Sequence, residues 1–413
     1  MQELKKQFKG KNLSATSEQN KINILKFIKS QNICSRVEIA KATGLTQASI
    51  TKIISTLIEQ GILLETGFLR GQNSRRSIGL KINSKAFKFI SIQLLRNSYR
   101  IALFDLDAEL YEQSKEINTE SKMSDEIFEE ILSNIEQYKN KYENIISIGV
   151  TAPGTYKDFG DNIELINQII DYEKVKVLKL LKQHFKSAIH IENNAIAGSL
   201  AEWWFGKYSM EKNIMVYISV NEGIRAGIII NGEVFRGTQG LAGKVGHISI
   251  NSFGDFNEKC FCGNHGCLEL YASTNFVVEN TLKSLKSNEK SLLNQEEEIN
   301  FEKIINSLRS ADPIVVETIE IAATNLGYGI INIIMCYNPG VIVIGGKIAQ
   351  AGEIFLQKLK DTVKSRVPNE IYDNLILDFS NSEIDSVLLG GATLAINSAI
   401  ESPNKLILKS SVL

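Results

Sequence analysis

The chain has 413 residues, of which 43% are hydrophobic and 23% charged, with only 5 prolines. That length exceeds one ordinary core and predicts roughly two or three globular domains, and the scarcity of proline and Gly/Ser tracts excludes long disordered linkers. No run of about 18 uncharged apolar residues occurs, and the polar start MQELKKQFKGKNLS lacks a signal-peptide centre, so no transmembrane helix is expected and the cytoplasm is the expected compartment.

The net charge of −1 hides an asymmetry. Residues 1–82 hold 14 Lys/Arg and 5 Asp/Glu, a balance of +9 that leaves −10 for the rest. A basic first fifth on an acidic body is either a nucleic-acid-binding head or a solvated lysine-rich surface.

Local signals decide for the head. Residues 18–30 place Ile22, Leu25 and Ile28 at helical spacing, with Ile24 and Phe27 beside them. Ser35-Arg36-Val37-Glu38 is a capping box opening a short helix that runs to Thr43. Gly44 supplies the turn. Thr46 caps a third helix whose buried stripe is Ile50, Ile53, Ile54 and Leu57. This order is that of a helix-turn-helix. Arg36, Thr46, Gln47, Ala48, Ser49, Thr51 and Lys52 are the expected DNA-contacting residues there, with short or forked polar groups suited to base edges and phosphates. After Gly61, two apolar strands flank a loop with Arg70, Arg75 and Arg76. A hairpin with a basic tip is the wing of a winged helix, and arginine suits a narrow minor groove. A three-helix protein-interaction module is the competing interpretation of the same elements.

From Phe87 onward strands alternate with helices. FISIQLL and YRIALFDLD are adjacent strands, a charged helix covers roughly 123–141, and IISIGVTAPG is a buried strand entering a Gly-Pro loop. AIHIENNA is a strand ending in polar residues, followed by the helix IAGSLAEWWFG. NIMVYISV, GIRAGIIINGEVF and VIVIGGKI supply a second sheet. Two α/β lobes around a cleft fit this order.

Five cysteines are present, and Cys260, Cys262 and Cys267 fall within eight residues, whereas Cys34 and Cys336 stand apart. In a reducing compartment such a cluster favours metal over disulfides. His247 and His265 are the nearby nitrogen donors. His184 and His190 have no comparable context.

Gly246-His247 followed by Cys260-Phe261-Cys262-Gly263-Asn264-His265-Gly266-Cys267-Leu268-Glu269 closely resembles the signature of the ROK family, which contains bacterial sugar kinases and sugar-responsive repressors. The resemblance runs from the winged head to Gly390-Gly391-Ala392. Kinases of this family lack the head and repressors have it; NHGCLE is especially like the repressors for N-acetylglucosamine and related sugars. The resemblance implies an actin-like (ribonuclease H-like, sugar-kinase-type) two-lobed domain behind the head. It also implies a structural Zn²⁺ on His247, Cys260, Cys262 and Cys267, a closed Cys₃His set with no open position for catalytic water. His265 is the rival ligand, within the turn between two cysteines.

Two departures from the kinase pattern bear on activity. The phosphate-cradling Asp-x-Gly-Gly-Thr-like stretch is here Gln93-Leu94-Leu95-Arg96-Asn97, without its acid or glycines. The general-base Asp position is Asn194, in Glu192-Asn193-Asn194-Ala195, and a carboxamide is no useful proton acceptor. Glu192 as a substitute base is the alternative. No enzymatic activity is expected; a kinase with a fused head is the competing reading. By the same resemblance Pro153, Gly154, Asn193, Asn194, His247 and Glu269 line a sugar pocket. Lys244 replaces the usual sugar-binding Glu, and either selects an anionic ligand such as a sugar phosphate or points to solvent.

The expected organisation is a flexible segment 1–17, a winged head 18–83, a first lobe 84–196, a second lobe with the zinc motif 197–386, and a C-terminal helix and tail 387–413 packing back on the first lobe. The expected partners are an operator duplex, a sugar or sugar-phosphate effector and a second copy, as a dimer or tetramer. Control by a protein docking on the acidic body is a third reading.

Overall fold

The computed structural model describes residues 16–70, 76–154, 156–158, 163–165, 172–208, 212–251, 259–286, 291–295, 298–380 and 384–406. The segment 1–15 and the wing tip 71–75, with Arg75, lie outside the described residues. The chain forms two compact units. One comprises residues 1–192 and 391–413, and the other residues 193–390.

The first unit begins with the head: α1 (Thr16–Gln31), β1 (Cys34–Ser35), α2 (Arg36–Thr43), α3 (Gln47–Glu59), β2 (Leu63–Arg70) and β3 (Arg76–Ile82). Each boundary has a local cause. The Ser35 hydroxyl accepts from the Glu38 amide at 3.3 Å, and Glu38 accepts from the Ser35 amide at 2.8 Å. Gly44 ends α2 with φ 72°, the left-handed region open to a residue without Cβ. Thr46 caps α3 by accepting from the Ser49 amide at 3.2 Å. Ile24, Leu25, Ile28, Ile39, Ile50, Ile54 and Leu57 are buried and form the core of the head. The three strands pair in the order β1-β3-β2.

The rest of this unit is a six-stranded sheet. It uses β4 (Lys88–Leu94), β5 (Ser98–Asp105), β6 (Leu110–Gln113), β7 (Ile117–Asn118), β8 (Ile145–Ala152) and β11 (Ile189–Asn193). A separate hairpin pairs β9 (Tyr156–Asp158) with β10 (Ile163–Leu165). The sheet order is β11-β8-β4-β5-β6, with β4 antiparallel to β5 and parallel to β8. Helices α4 (Ser124–Lys141) and α5 (Tyr172–Phe185) cover one face, with Ile127, Ile131, Ile135, Val177 and Leu181 joining the core.

The second unit repeats the scheme. Its sheet contains β12 (Ile214–Val220), β13 (Ile224–Ile230), β14 (Glu233–Val234), β15 (Val341–Gly345) and β16 (Ile376–Phe379), in the order β14-β13-β12-β15-β16. Again a hairpin, β12-β13, continues into parallel partners. Its helices are α6 (Asn194–Phe205), α7 (Glu269–Ala272), α8 (Thr274–Leu285), α9 (Phe301–Arg309), α10 (Pro313–Tyr337), α11 (Gly352–Lys364) and α12 (Asn369–Tyr372). Helix α10 is long and apolar enough to cross a membrane by length and composition, despite the expectation of no such segment. Twelve of its 25 residues are buried, and eight of them, from Val315 to Ile334, belong to the core with α8, α11 and the sheet.

The last helix, α13 (Ser386–Glu401), starts in the second unit and ends in the first. A Cβ on Gly390 would collide with the Ala197 backbone, and one on Gly149 with the Gly391 carbonyl. The Gly-Gly pair therefore lets helix backbone lie directly on its neighbours in each unit. The far end of α13 grips the head: Lys26 Nζ lies 2.9 Å from Glu401 Oε1, and Asn404 Nδ2 donates to Glu18 Oε1 at 2.8 Å.

A cavity beside this junction is lined by Lys29, Asn32, Lys81, Asn83 and Asp107. Burial pushes the Lys29 ammonium down from 10.5 to about 7, against the pull of Asp107. Such a group binds fewer protons folded than unfolded, so its cost is full below about 7 and fades as pH rises toward 10.5. Lys29→Met is expected to raise the melting temperature near neutrality and below, and to lose that advantage in alkali. Thermal melts across pH check this; an advantage that widened with pH would contradict it.

Candidate DNA-binding head and metal–ligand centre

Helix α3 presents the expected reading surface. Gln47, Ala48, Thr51 and Lys52 are exposed, as is the capping Thr46, while Ser49 is half-buried and shares a 2.9 Å hydroxyl contact with Thr46. Thr51 Oγ1 donates to the Gln47 carbonyl at 2.9 Å. Ser55, one turn on from Thr51, is also exposed and extends the stripe. Attention to the helix start alone missed it, although the i, i+4 spacing carries the signal. Arg36 is not simply available: its guanidinium pairs with Glu65 at 2.8 Å, joining α2 to β2. The wing register sets Arg70 opposite Arg76.

The second unit gathers His247, Cys260, Cys262 and Cys267, whose donor atoms all lie within 4.8 Å of one another. Cys260 Sγ stands 3.6 Å from His247 Nδ1, and Cys262 Sγ stands 3.6 Å from Cys267 Sγ. A tetrahedral ion with bonds of about 2.0–2.3 Å spaces its donors by roughly 3.3–3.8 Å, so the donor set fits zinc in type and spacing. His265, the rival nitrogen, is not in the group.

Backbone geometry makes the cluster. Short bridges join Ser249 to Cys267 and Lys259 to His265. The Cys260 amide donates to Asn264 O at 2.9 Å and the Gly263 amide to Cys260 O at 2.9 Å, closing a tight knuckle. Gly266 has φ 68°, and a Cβ there would strike the Asn251 carbonyl. Burial pushes the Cys260 thiol well up and the Cys267 thiol to about 11. A bound cation offsets that penalty by favouring the thiolates.

Glu269, buried at the start of α7, connects this cluster to the expected sugar residues. Its Oε1 lies 3.2 Å from His247 Nδ1 and 3.1 Å from Cys260 Sγ. The hydrogen bond to Glu269 raises the His247 pKa. Asn193 is buried and caps α6 by accepting from the Ala195 amide at 2.9 Å. Asn194 follows as the first residue of α6, and its buried Oδ1 has no hydrogen-bond partner among the described residues.

Lys244 is half-buried, and its pKa is lowered by burial and then by Arg225. Sequence reasoning missed Arg225, which sits on β13, 19 positions away. Pro153 and Gly154 end β8 in the other unit, where Gly154 takes φ 111°. Gln93 is buried in β4 between Arg100 and Thr151 of the neighbouring strands.

Comparison with known proteins agrees with both halves of this description. Residues 17–63 match a family of winged helix-turn-helix DNA-binding domains, and residues 89–398 match the ROK family. The chain is 29% identical over 391 residues to a xylose repressor of Caldicellulosiruptor bescii, covering 93% of this chain and 97% of that protein. It is 28% identical over 392 residues to the DNA-binding transcriptional dual regulator NagC of Escherichia coli, covering 94% and 95%. A crystal structure of a ROK family transcriptional regulator, a homologue of the E. coli MLC protein, superimposes with a TM-score of 0.80 at 26% identity, over 95% of this chain and 100% of that one. With its winged head followed by an actin-like, sugar-kinase-type domain, this chain belongs to the ROK family.

Proposed function

We propose that the chain is a sugar-responsive transcriptional repressor of carbohydrate metabolism, cytoplasmic and without kinase activity. The observation that carries this reading is the pairing of a winged head with a ROK domain whose two catalytic stretches hold Gln93 and Asn194. A carboxamide at position 194 cannot take the proton of a sugar hydroxyl, but its buried, unpartnered oxygen can accept a hydrogen bond from one. A site built to bind and not to react is what an effector receptor requires. A coupled ATPase assay with hexoses, pentoses and amino sugars is expected to give no turnover above background; sustained sugar-dependent turnover would restore the kinase reading.

The DNA contacts fall to Thr46, Gln47, Ala48, Ser49, Thr51 and Lys52 on the recognition helix, with Ser55 beyond them. Arg70, Arg75 and Arg76 serve the wing, and Arg36 does so once DNA competes with Glu65 for it. Two copies of the chain, reading two half-sites, match the twofold symmetry of a duplex operator. The effector is a sugar or sugar phosphate held by Asn193, Asn194, His247 and Glu269 of the second unit. Lys244 beside Arg225 favours a ligand bearing negative charge.

A ligand alters operator affinity only by favouring one protein arrangement over another, and coupling of about 1–3 kcal/mol changes that affinity roughly 5- to 150-fold. Gel-shift titration of a promoter duplex with candidate sugars and sugar phosphates is expected to show such a change for one class. No response to any would leave the head under other control.

Zinc on His247, Cys260, Cys262 and Cys267 fixes the loop that carries His247 and ends at Glu269. Elemental analysis is expected to find about one zinc per chain. Cys260→Ser should lose most of it, lower the melting temperature and weaken the sugar response together. Full zinc retention in that variant would displace Cys260 from the ligand set.

A further inference from the structure

The cavity beside the head has a chemistry that neither DNA reading nor effector binding uses. Its volume is about 200 Å³. The head supplies Lys29 and Asn32 at the end of α1, and Lys81 near the end of β3. The first lobe supplies Lys85, in the single turn Ser84–Ala86, and Asp107, in the turn between β5 and β6. Asn83 joins the two parts, its side-chain amide donating to the Gly61 carbonyl at 3.0 Å. All of these residues belong to the first compact unit.

Charge is unevenly spread over this lining. Three lysines stand against one carboxylate, a formal balance of +2 when all are ionised. Glu109 offsets Lys85 only weakly: the two charges lie 3.9 Å apart on well-exposed side chains, so water screens the pair. Lys81 and Lys85 are exposed, whereas Lys29 Nζ is shut away from water and feels the Asp107 charge. Burial pushes that ammonium down to about 7, so near neutrality it is charged only part of the time. Alone, such a group costs the fold stability. Beside an anion it becomes an attraction, because a negative neighbour favours its charged form.

We propose that this cavity binds a small oxyanion, a phosphate or carboxylate group, between the head and the first lobe. Lysine suits either group as a point charge on a flexible stem. The Lys29 ammonium acts through its field from behind the lining, while Lys81 and Lys85 are long, exposed side chains able to close on an ion. The volume lies below the roughly 300–1,000 Å³ of sites for drug-sized ligands, which favours a small ion over a whole sugar.

Sulfate, a permanent dianion, is the first probe, titrated calorimetrically into the full chain slightly above neutral pH in chloride of matched ionic strength. Saturable binding is expected, with protons taken up, because the anion draws the Lys29 amine into its charged form. Heats measured in buffers of different ionisation enthalpy report that uptake. Competition by phosphate alone assigns the ligand to phosphates, and competition by acetate as well extends it to carboxylates. Lys29→Met should weaken sulfate about tenfold and abolish the uptake. Lys81→Gln, at an exposed position where folding is not at stake, should weaken binding several-fold and keep the uptake. Lys52→Ala, on the recognition helix, should bind sulfate as the wild type does. Absence of saturable binding, binding without proton uptake, or unchanged affinity in Lys29→Met and Lys81→Gln would overturn the site. So would failure of phosphate and acetate to compete. Loss of binding in Lys52→Ala instead would move the ion to the recognition helix and overturn it as well.

Discussion

The His247 imidazole stands between a cluster of thiols and a buried carboxylate. Its Nδ1 lies 3.6 Å from Cys260 Sγ and 3.2 Å from Glu269 Oε1, so one ring edge meets both the thiol cluster and a buried carboxylate. The surrounding loop is poor in apolar side chains, and its exposed Phe261 ring does no more than cover His247 edge-on at 5.2 Å between centroids. Cys260, Cys267 and Leu268 are buried there, and four metal-type donor atoms converge on one point. Glu269 transmits that order to the head of α7, and Gly246 lies against it so closely that an added Cβ would come within 3.2 Å of its Oε2. In this arrangement the metal-type donor cluster and the Glu269 carboxylate share one short stretch of chain.

Helix α13 holds to the second unit through Gly390 against Ala197 and to the first through Gly391 against Ser91 and Gly149. Its end then holds α1 by the Lys26–Glu401 and Glu18–Asn404 contacts. An exposed ion pair such as Lys26–Glu401 contributes roughly 0–1 kcal/mol, and the Asn404–Glu18 contact is a hydrogen bond from a neutral amide.

Much of this was legible in the sequence because its causes are local. The capping box at Ser35–Glu38, the left-handed Gly44 and the Thr46 cap each act over three or four residues. The metal motif was legible for a related reason: the three cysteines lie in one knuckle, and His247 precedes them by only 13 positions. What the sequence did not disclose is long-range. Nothing near Arg36 announces Glu65 as its partner, nothing near Lys244 announces Arg225, and nothing near Lys29 announces Asp107. A bulge in β2, between Glu65 and Phe68, escaped for a different reason. Period-two alternation reads straight through one extra residue, and only the observed register shows the shift.

The account's central claim is that a basic winged head directs a catalytically silent carbohydrate receptor to particular genes. Mapping the chain's occupancy across its own genome by crosslinking and immunoprecipitation tests that claim most directly. Discrete peaks sharing one near-palindromic motif, next to genes for sugar uptake or breakdown and redistributed when a sugar is supplied, are the predicted result. Uniform recovery of the genome, with no shared motif and no dependence on carbon source, would contradict it.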